Sequence, residues 1–230
     1  MYKLIILDLD NTLIDFDQME IESLKACFQK HGLPCEENRI LAYKAINERL
    51  WQGLEEGLYK KSEILTLRFE KWLNHYQLNG NPKELNEDYL GQMPSFTQFI
   101  DGAKDLLDFV KGKYKLIMMT NGVQKAQERK IDHIGIRDYF DHIIISDEVG
   151  YHKPSVEIFE HMMSLIGEIK KEEMIILGDS LSSDVKGGLN FSIDTCWFNK
   201  DKKNVVHNKA KYVISDLTEF VDLLKKHQKI

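Results

Sequence analysis

Short apolar runs punctuate the chain at residues 3–7, 115–119, 142–145, 174–177 and 195–198, and a briefer one at 212–214 offers a sixth. Each is rich in aliphatic, β-branched or aromatic residues and lacks a clean apolar–polar alternation. That is how a strand buried on both faces reads. Helical patterns separate the runs at about 102–112, 123–134, 155–167, 184–190 and 216–228. Strand–helix alternation of this kind predicts right-handed crossovers and a parallel sheet flanked by helices, an α/β fold.

One stretch breaks the alternation. Between residues 17 and 92 only helical patterns occur, near 18–31, 36–52, 61–78 and 83–92. Gly32 to Pro34, Gly53 to Gly57 and Gly80 to Pro82 separate them. The expected division is a core of residues 1–14 and 97–230 and an inserted, all-helical cap of residues 15–96. An insertion at the end of the first strand is expected over the carboxyl ends of the strands, where open α/β sheets bind ligands. The alternative is a helical subdomain with no role at the site.

Composition narrows the class. The 230 residues suffice for a core domain and a smaller one, and 43% hydrophobic with 30% charged residues is ordinary globular usage. A net charge of −6 argues against a nucleic-acid polymer or an anionic membrane as partner. The short lysine clusters at 60–61, 200–203 and 225–226 read as solvated surface. Cys27, Cys35 and Cys196 form neither a CxxC pair nor an even disulfide framework. The first apolar run is too short for a secretory signal, and no segment is long enough to span a membrane. A reduced, cytoplasmic protein is expected.

The candidate chemistry lies where the apolar runs end. The first ends in Asp8-Leu9-Asp10-Asn11-Thr12 and the second in Thr120-Asn121-Gly122. Lys153-Pro154 precedes a helix. The fourth run ends in Gly178-Asp179, with Asp184 five residues on. In a parallel sheet all of these face one end. Carboxylates gathered there repel one another unless a cation lies between them, and a hard cation with oxygen ligands, magnesium by default, suits the set. A carboxylate can attack phosphorus, and a second can pass protons to the leaving oxygen and from water. Thr120, Lys153 and backbone amides near Asn121 can hold phosphate oxygens. Each feature alone has a plain structural reading as a turn, a cap or a helix start. Their joint occurrence in order is what carries the inference.

These residues resemble the four signatures of the haloacid-dehalogenase-like hydrolase superfamily: Asp8-x-Asp10-x-Thr12, Thr120, Lys153-Pro154 and Gly178-Asp179-x4-Asp184. The resemblance spans the chain and implies a Rossmann-like core with a helical cap after the first strand. It implies Asp8 as nucleophile and Asp10 as general acid and base. Magnesium would be held by the Asp8 carboxylate, the Asp10 backbone carbonyl and Asp179. Asp184 would act through water or orient Lys153, while Thr120 and Lys153 would bind phosphate. Asp10 argues against dehalogenation, since dehalogenases of the superfamily lack that aspartate.

The similarity reaches furthest toward bacterial pyrimidine 5′-nucleotidases, through Asn47, Leu50-Trp51, Gly57 and Arg68 to Trp72. It implies a nucleoside monophosphate substrate. A sugar-phosphate phosphatase or a phosphomutase is the alternative, and a binding protein without turnover is a third reading. Trp51, Phe69 and Trp72 either stack on a base or form the core of the cap. Arg68 either contacts a phosphate or base or lies in a surface salt bridge.

Overall fold

The first apolar run forms strand β1 (Leu4–Leu7), with all four side chains fully buried. The structure is a computed structural model that describes residues 1–205 and 209–228. After β1 the chain makes helices α1 (Phe16–Lys30), α2 (Glu37–Glu55), α3 (Lys61–Tyr76) and α4 (Pro82–Gln92). Helix α5 (Ala103–Val110) then leads into β2 (Lys115–Thr120), α6 (Gln124–Ile134) and β3 (His142–Ile145). The short α7 (Ser146–Val149) and α8 (Val156–Ile166) precede β4 (Met174–Gly178). Helix α9 (Lys186–Phe191), β5 (Asp194–Phe198), β6 (Tyr212–Ile214) and α10 (Leu217–Gln228) complete the order.

The strands form one parallel sheet in the order β3-β2-β1-β4-β5-β6. The missing alternation in the apolar runs has a direct cause, because helices cover both faces. Leu4 and Ile6, with Ile117, Met119 and Ile176, pack against Ile158, Phe159 and Met162 of α8. Ile5 and Leu7, with Leu116, Met118 and Leu177, pack against Leu106 and Val110 of α5 and Phe220 and Leu224 of α10. Each Leu or Ile buried this way contributes about 1.5–3 kcal/mol. The chain builds outward from β1 in both directions, so the sheet reverses its winding beside β1. That reversal opens a crevice at the carboxyl ends of the neighbouring strands.

By contacts the chain divides into two units, Met1–Asp15 with Gln98–Ile230, and Phe16–Thr97. The second unit is helical and has an aromatic core of its own. Phe28 stacks on Trp72 with centroids 4.2 Å apart, and Tyr43 lies 4.9 Å from Phe69. Among the described residues no helix is long and apolar enough to cross a membrane.

Candidate active site

Asp8 is the first residue beyond β1, and its amide continues the ladder by donating to the Leu177 carbonyl at 3.0 Å. The chain then turns sharply. The amides of Thr12, Leu13 and Ile14 all fold back on the Leu9 carbonyl, and Asn11 adopts φ 58°. Asn tolerates that left-handed conformation better than most residues. The turn returns the Thr12 hydroxyl to donate to Asp8 Oδ2 at 3.2 Å.

Lys153 reaches the same carboxylate from the far side of β2. The Asn121 side chain fixes its backbone twice, accepting from the Lys153 amide and donating to the Lys153 carbonyl, both at 2.8 Å. The ammonium donates to Asp8 Oδ1 at 2.6 Å, Asp184 Oδ1 at 2.6 Å and the Met119 carbonyl at 2.7 Å. An ammonium has three hydrogens, so this set matches its capacity. The side chain is 1% exposed. Burial works against its charge, but Asp184 and Asp8 outweigh it and hold the lysine well above its ordinary range.

Asp184 sits in a π-helical turn (Leu181–Val185) after β4. Its second oxygen accepts from the Ser180 amide at 3.0 Å. A Cβ on Gly178 would lie 2.2 Å from the Asp184 carboxyl, so only glycine admits this approach. Asp179, just beyond β4, has its carbonyl held by the Trp197 indole at 2.8 Å. Carboxylate oxygens of Asp8, Asp179 and Asp184 all lie within 4.8 Å of one another. Burial pushes Asp8 up to about 7, with Lys153 pulling it down and Asp184 pushing it further up. Burial, Asp8 and Asp184 likewise hold Asp179 well above the usual carboxylate range. Three crowded carboxyl groups against one lysine make a hard, oxygen-only donor set, and a divalent cation such as magnesium fits it.

The Asp10 side chain is not in that cluster. Its carboxylate meets α6, where Lys130 Nζ contacts Oδ1 at 2.5 Å and Gln127 Nε2 donates to Oδ2 at 2.8 Å. Gln127 also donates to the Thr120 hydroxyl at 2.6 Å, which accepts from the Gly122 amide at 3.3 Å as well. Sequence reasoning missed Gln127 and Lys130. The available signal was their place in the stripe of Ala126 and Ile131, where an amphipathic helix puts apolar residues.

The two candidates in the helical unit are engaged within it. Trp51 packs against the cluster of Leu50, Leu54 and Ile64. Arg68 is 2% exposed and donates to Asn47 Oδ1 at 3.3 Å and Asn86 Oδ1 at 2.7 Å, with Tyr89 under its guanidinium at 4.8 Å. Asn47 in turn donates to the buried Glu20 at 2.8 Å. A surface salt bridge for Arg68 is overturned, because the buried guanidinium is committed to amide partners in the interior of its own unit, and the same commitment gives a substrate contact no support. Phe69 and Trp72 are fully buried and belong to the core of the unit.

The comparisons with known proteins agree with this fold. The family model for haloacid dehalogenase-like hydrolases matches residues 5–198. The magnesium-bound crystal structure of the HAD-hydrolase YfnB from Bacillus subtilis matches with a TM-score of 0.91 at 32% identity, covering 97% of this chain and 98% of that one. Pyrimidine 5′-nucleotidase YjjG of Escherichia coli is 32% identical over 97% of this chain and 98% of its own. Pyrimidine 5′-nucleotidase PynA of Streptococcus pneumoniae is 31% identical over 98% and 96%. Phosphatases named for other small phosphorylated compounds match at lower identity. The chain belongs to the haloacid dehalogenase-like hydrolases. Within them it is an enzyme that hydrolyses phosphate monoesters.

Proposed function

We propose that this enzyme releases phosphate from nucleoside 5′-monophosphates, pyrimidine nucleotides preferred, through an aspartyl-phosphate at Asp8 and with magnesium. The observation that carries the chemistry is the Lys153 ammonium 2.6 Å from Asp8 Oδ1, at the edge of the three-carboxylate cluster. One oxygen of Asp8 is held by Lys153 and the other by Thr12, so the carboxylate is fixed in direction before substrate arrives. Preorganisation of this kind is the main protein contribution to phosphoryl transfer.

In the first step an Asp8 oxygen bonds to phosphorus, the ester P–O bond breaks, and Asp10 gives a proton to the leaving oxygen. In the second, Asp10 takes a proton from a water as it attacks phosphorus, releasing phosphate and restoring the Asp8 carboxylate. The Thr120 hydroxyl accepts two hydrogen bonds, so its own proton is directed to a phosphate oxygen. The Asn121 side chain is engaged with the Lys153 backbone, and its phosphate contact is assigned to the main chain. Lys153 adds positive charge to the same group, oriented by Asp184. The Asp8 carboxylate, the Asp10 carbonyl and Asp179 would hold the magnesium ion. Bound there, the ion supplies charge that offsets repulsion between the Asp8 carboxylate and phosphate.

The nucleotide preference is supported by the names of YjjG and PynA. We assign discrimination between leaving groups to the helical unit, acting as a cap, with Trp51 as the candidate aromatic. A sugar-phosphate phosphatase or phosphomutase is the second reading, favoured by relatives named for other small phosphorylated compounds. A screen of UMP, dUMP and TMP against sugar phosphates, with magnesium and with EDTA, separates them. Phosphate release led by pyrimidine nucleotides and abolished by EDTA is expected. A flat nucleotide profile beside strong turnover of one sugar phosphate would sink the substrate assignment.

A further inference from the structure

Helix α6 carries two polar side chains where its pattern calls for apolar ones. Gln127 and Lys130 are each 1% exposed, on the same face as the buried Ala126 and Ile131. An ammonium or amide buried without a partner is strongly disfavoured. Both converge on Asp10, Lys130 on one carboxylate oxygen at 2.5 Å and Gln127 on the other at 2.8 Å. The second hydrogen of the Gln127 amide goes to the Thr120 hydroxyl at 2.6 Å. Gly122 makes the route passable, since a Cβ there would lie 2.2 Å from Gln127 Nε2.

We infer that Gln127 and Lys130 are positioning residues that aim the Asp10 carboxyl group at the leaving oxygen, with Gly122 as the gap that lets Gln127 through. This rests on Asp10 being the proton-transfer group. Each carboxylate oxygen has two lone pairs, so one contact on each fixes the plane of the group and leaves a site for a proton. Gln127 also ties the Thr120 hydroxyl to the same frame. A phosphate held by Thr120 and a proton held by Asp10 are then set relative to each other by one side chain. A displacement of about 1 Å in such a frame costs on the order of 100-fold in rate.

The test is leaving-group dependence of kcat/KM with saturating magnesium. p-Nitrophenolate departs without a proton, whereas the 5′-oxygen of UMP needs one. Ribose 5-phosphate serves as the alkyl ester if the nucleotide reading fails. Lys130→Met and Gln127→Leu are expected to lose roughly tenfold more on UMP than on p-nitrophenyl phosphate, in the direction of Asp10→Asn, a part of the ~10²–10⁴ that proton transfer supplies. Gly122→Ala should follow Gln127→Leu. Melting curves check folding, and Gln127→Leu with Gly122→Ala carry the test if Lys130→Met does not fold. Equal losses on both esters, or a gain on UMP, while Asp10→Asn still discriminates, would overturn the positioning role alone. An Asp10→Asn enzyme that does not discriminate would overturn the assignment of Asp10 instead.

Discussion

Lys153 stands between two carboxylates with its side chain 1% exposed, and its removal has two separable consequences. Lys153→Met leaves Asp8 and Asp184 buried without their cation. Breaking a buried pair from one side costs about 3–5 kcal/mol, read as a lower urea midpoint in EDTA. Magnesium is expected to recover part of that loss but not the turnover, because the phosphate contact assigned to Lys153 would be gone. A variant as stable as the wild type would show that the pair is not what holds this corner together.

Asp8 gives a pH prediction. An unfolded aspartate titrates near 3.9, whereas burial pushes Asp8 up to about 7. Between those values the native protein binds more protons than the unfolded chain, so metal-free stability falls as pH rises through that window. A magnesium ion held by the Asp8 carboxylate would displace that proton. The thermal shift produced by saturating magnesium is therefore expected to be larger at pH 8 than at pH 5.5. The same shift at both would contradict the assignment of Asp8 to the metal.

Among the elements, β4 and the turn after it depend on one missing methyl group. Gly178→Ala places a Cβ on the Asp184 carboxyl, a clash that costs about 1–3 kcal/mol as the turn gives way. Phosphate release should fall at least tenfold, in line with a lost donor to the phosphoryl group, and Asp184→Ala should add little on top. Additive losses in the double variant would mean that the glycine acts elsewhere. Legibility in the sequence also divides by element. Asp8, Thr120, Lys153, Asp179 and Asp184 could be placed because they follow strands or open a helix, and strand ends gather in space in a parallel sheet. Gln127 and Lys130 were passed over despite their place in the stripe of Ala126 and Ile131, because polar residues on a helix read as solvent-facing until the buried face is known. Arg68 was obscured in the same way. It falls four residues from both Ile64 and Trp72, on the apolar stripe of α3, and ends among Asn47, Asn86 and Tyr89.

For the whole molecule, the residues to which phosphate chemistry is assigned lie in the unit of Met1–Asp15 with Gln98–Ile230, and the aromatic-rich helices lie in Phe16–Thr97. The parallel sheet and the insertion were visible as a change of period in the apolar pattern. The substrate was not, because an aromatic side chain such as Trp51 reads equally well as packing, and it does pack against Leu50, Leu54 and Ile64. Trp51→Ala is expected to raise KM for UMP by roughly tenfold, the value of one stacked base, with a smaller effect on ribose 5-phosphate. Equal effects on both would return Trp51 to a packing role.

Covalent attack by Asp8 on phosphorus would leave a phosphorylated enzyme during turnover. Rapid acid quench of the enzyme acting on a phosphorus-labelled ester is the measurement that detects it. Label should appear on the protein, resist acid, be released by hydroxylamine and map to Asp8, and it should be absent from Asp8→Asn together with turnover. Phosphate release without labelled protein, or turnover that survives in Asp8→Asn, would contradict it.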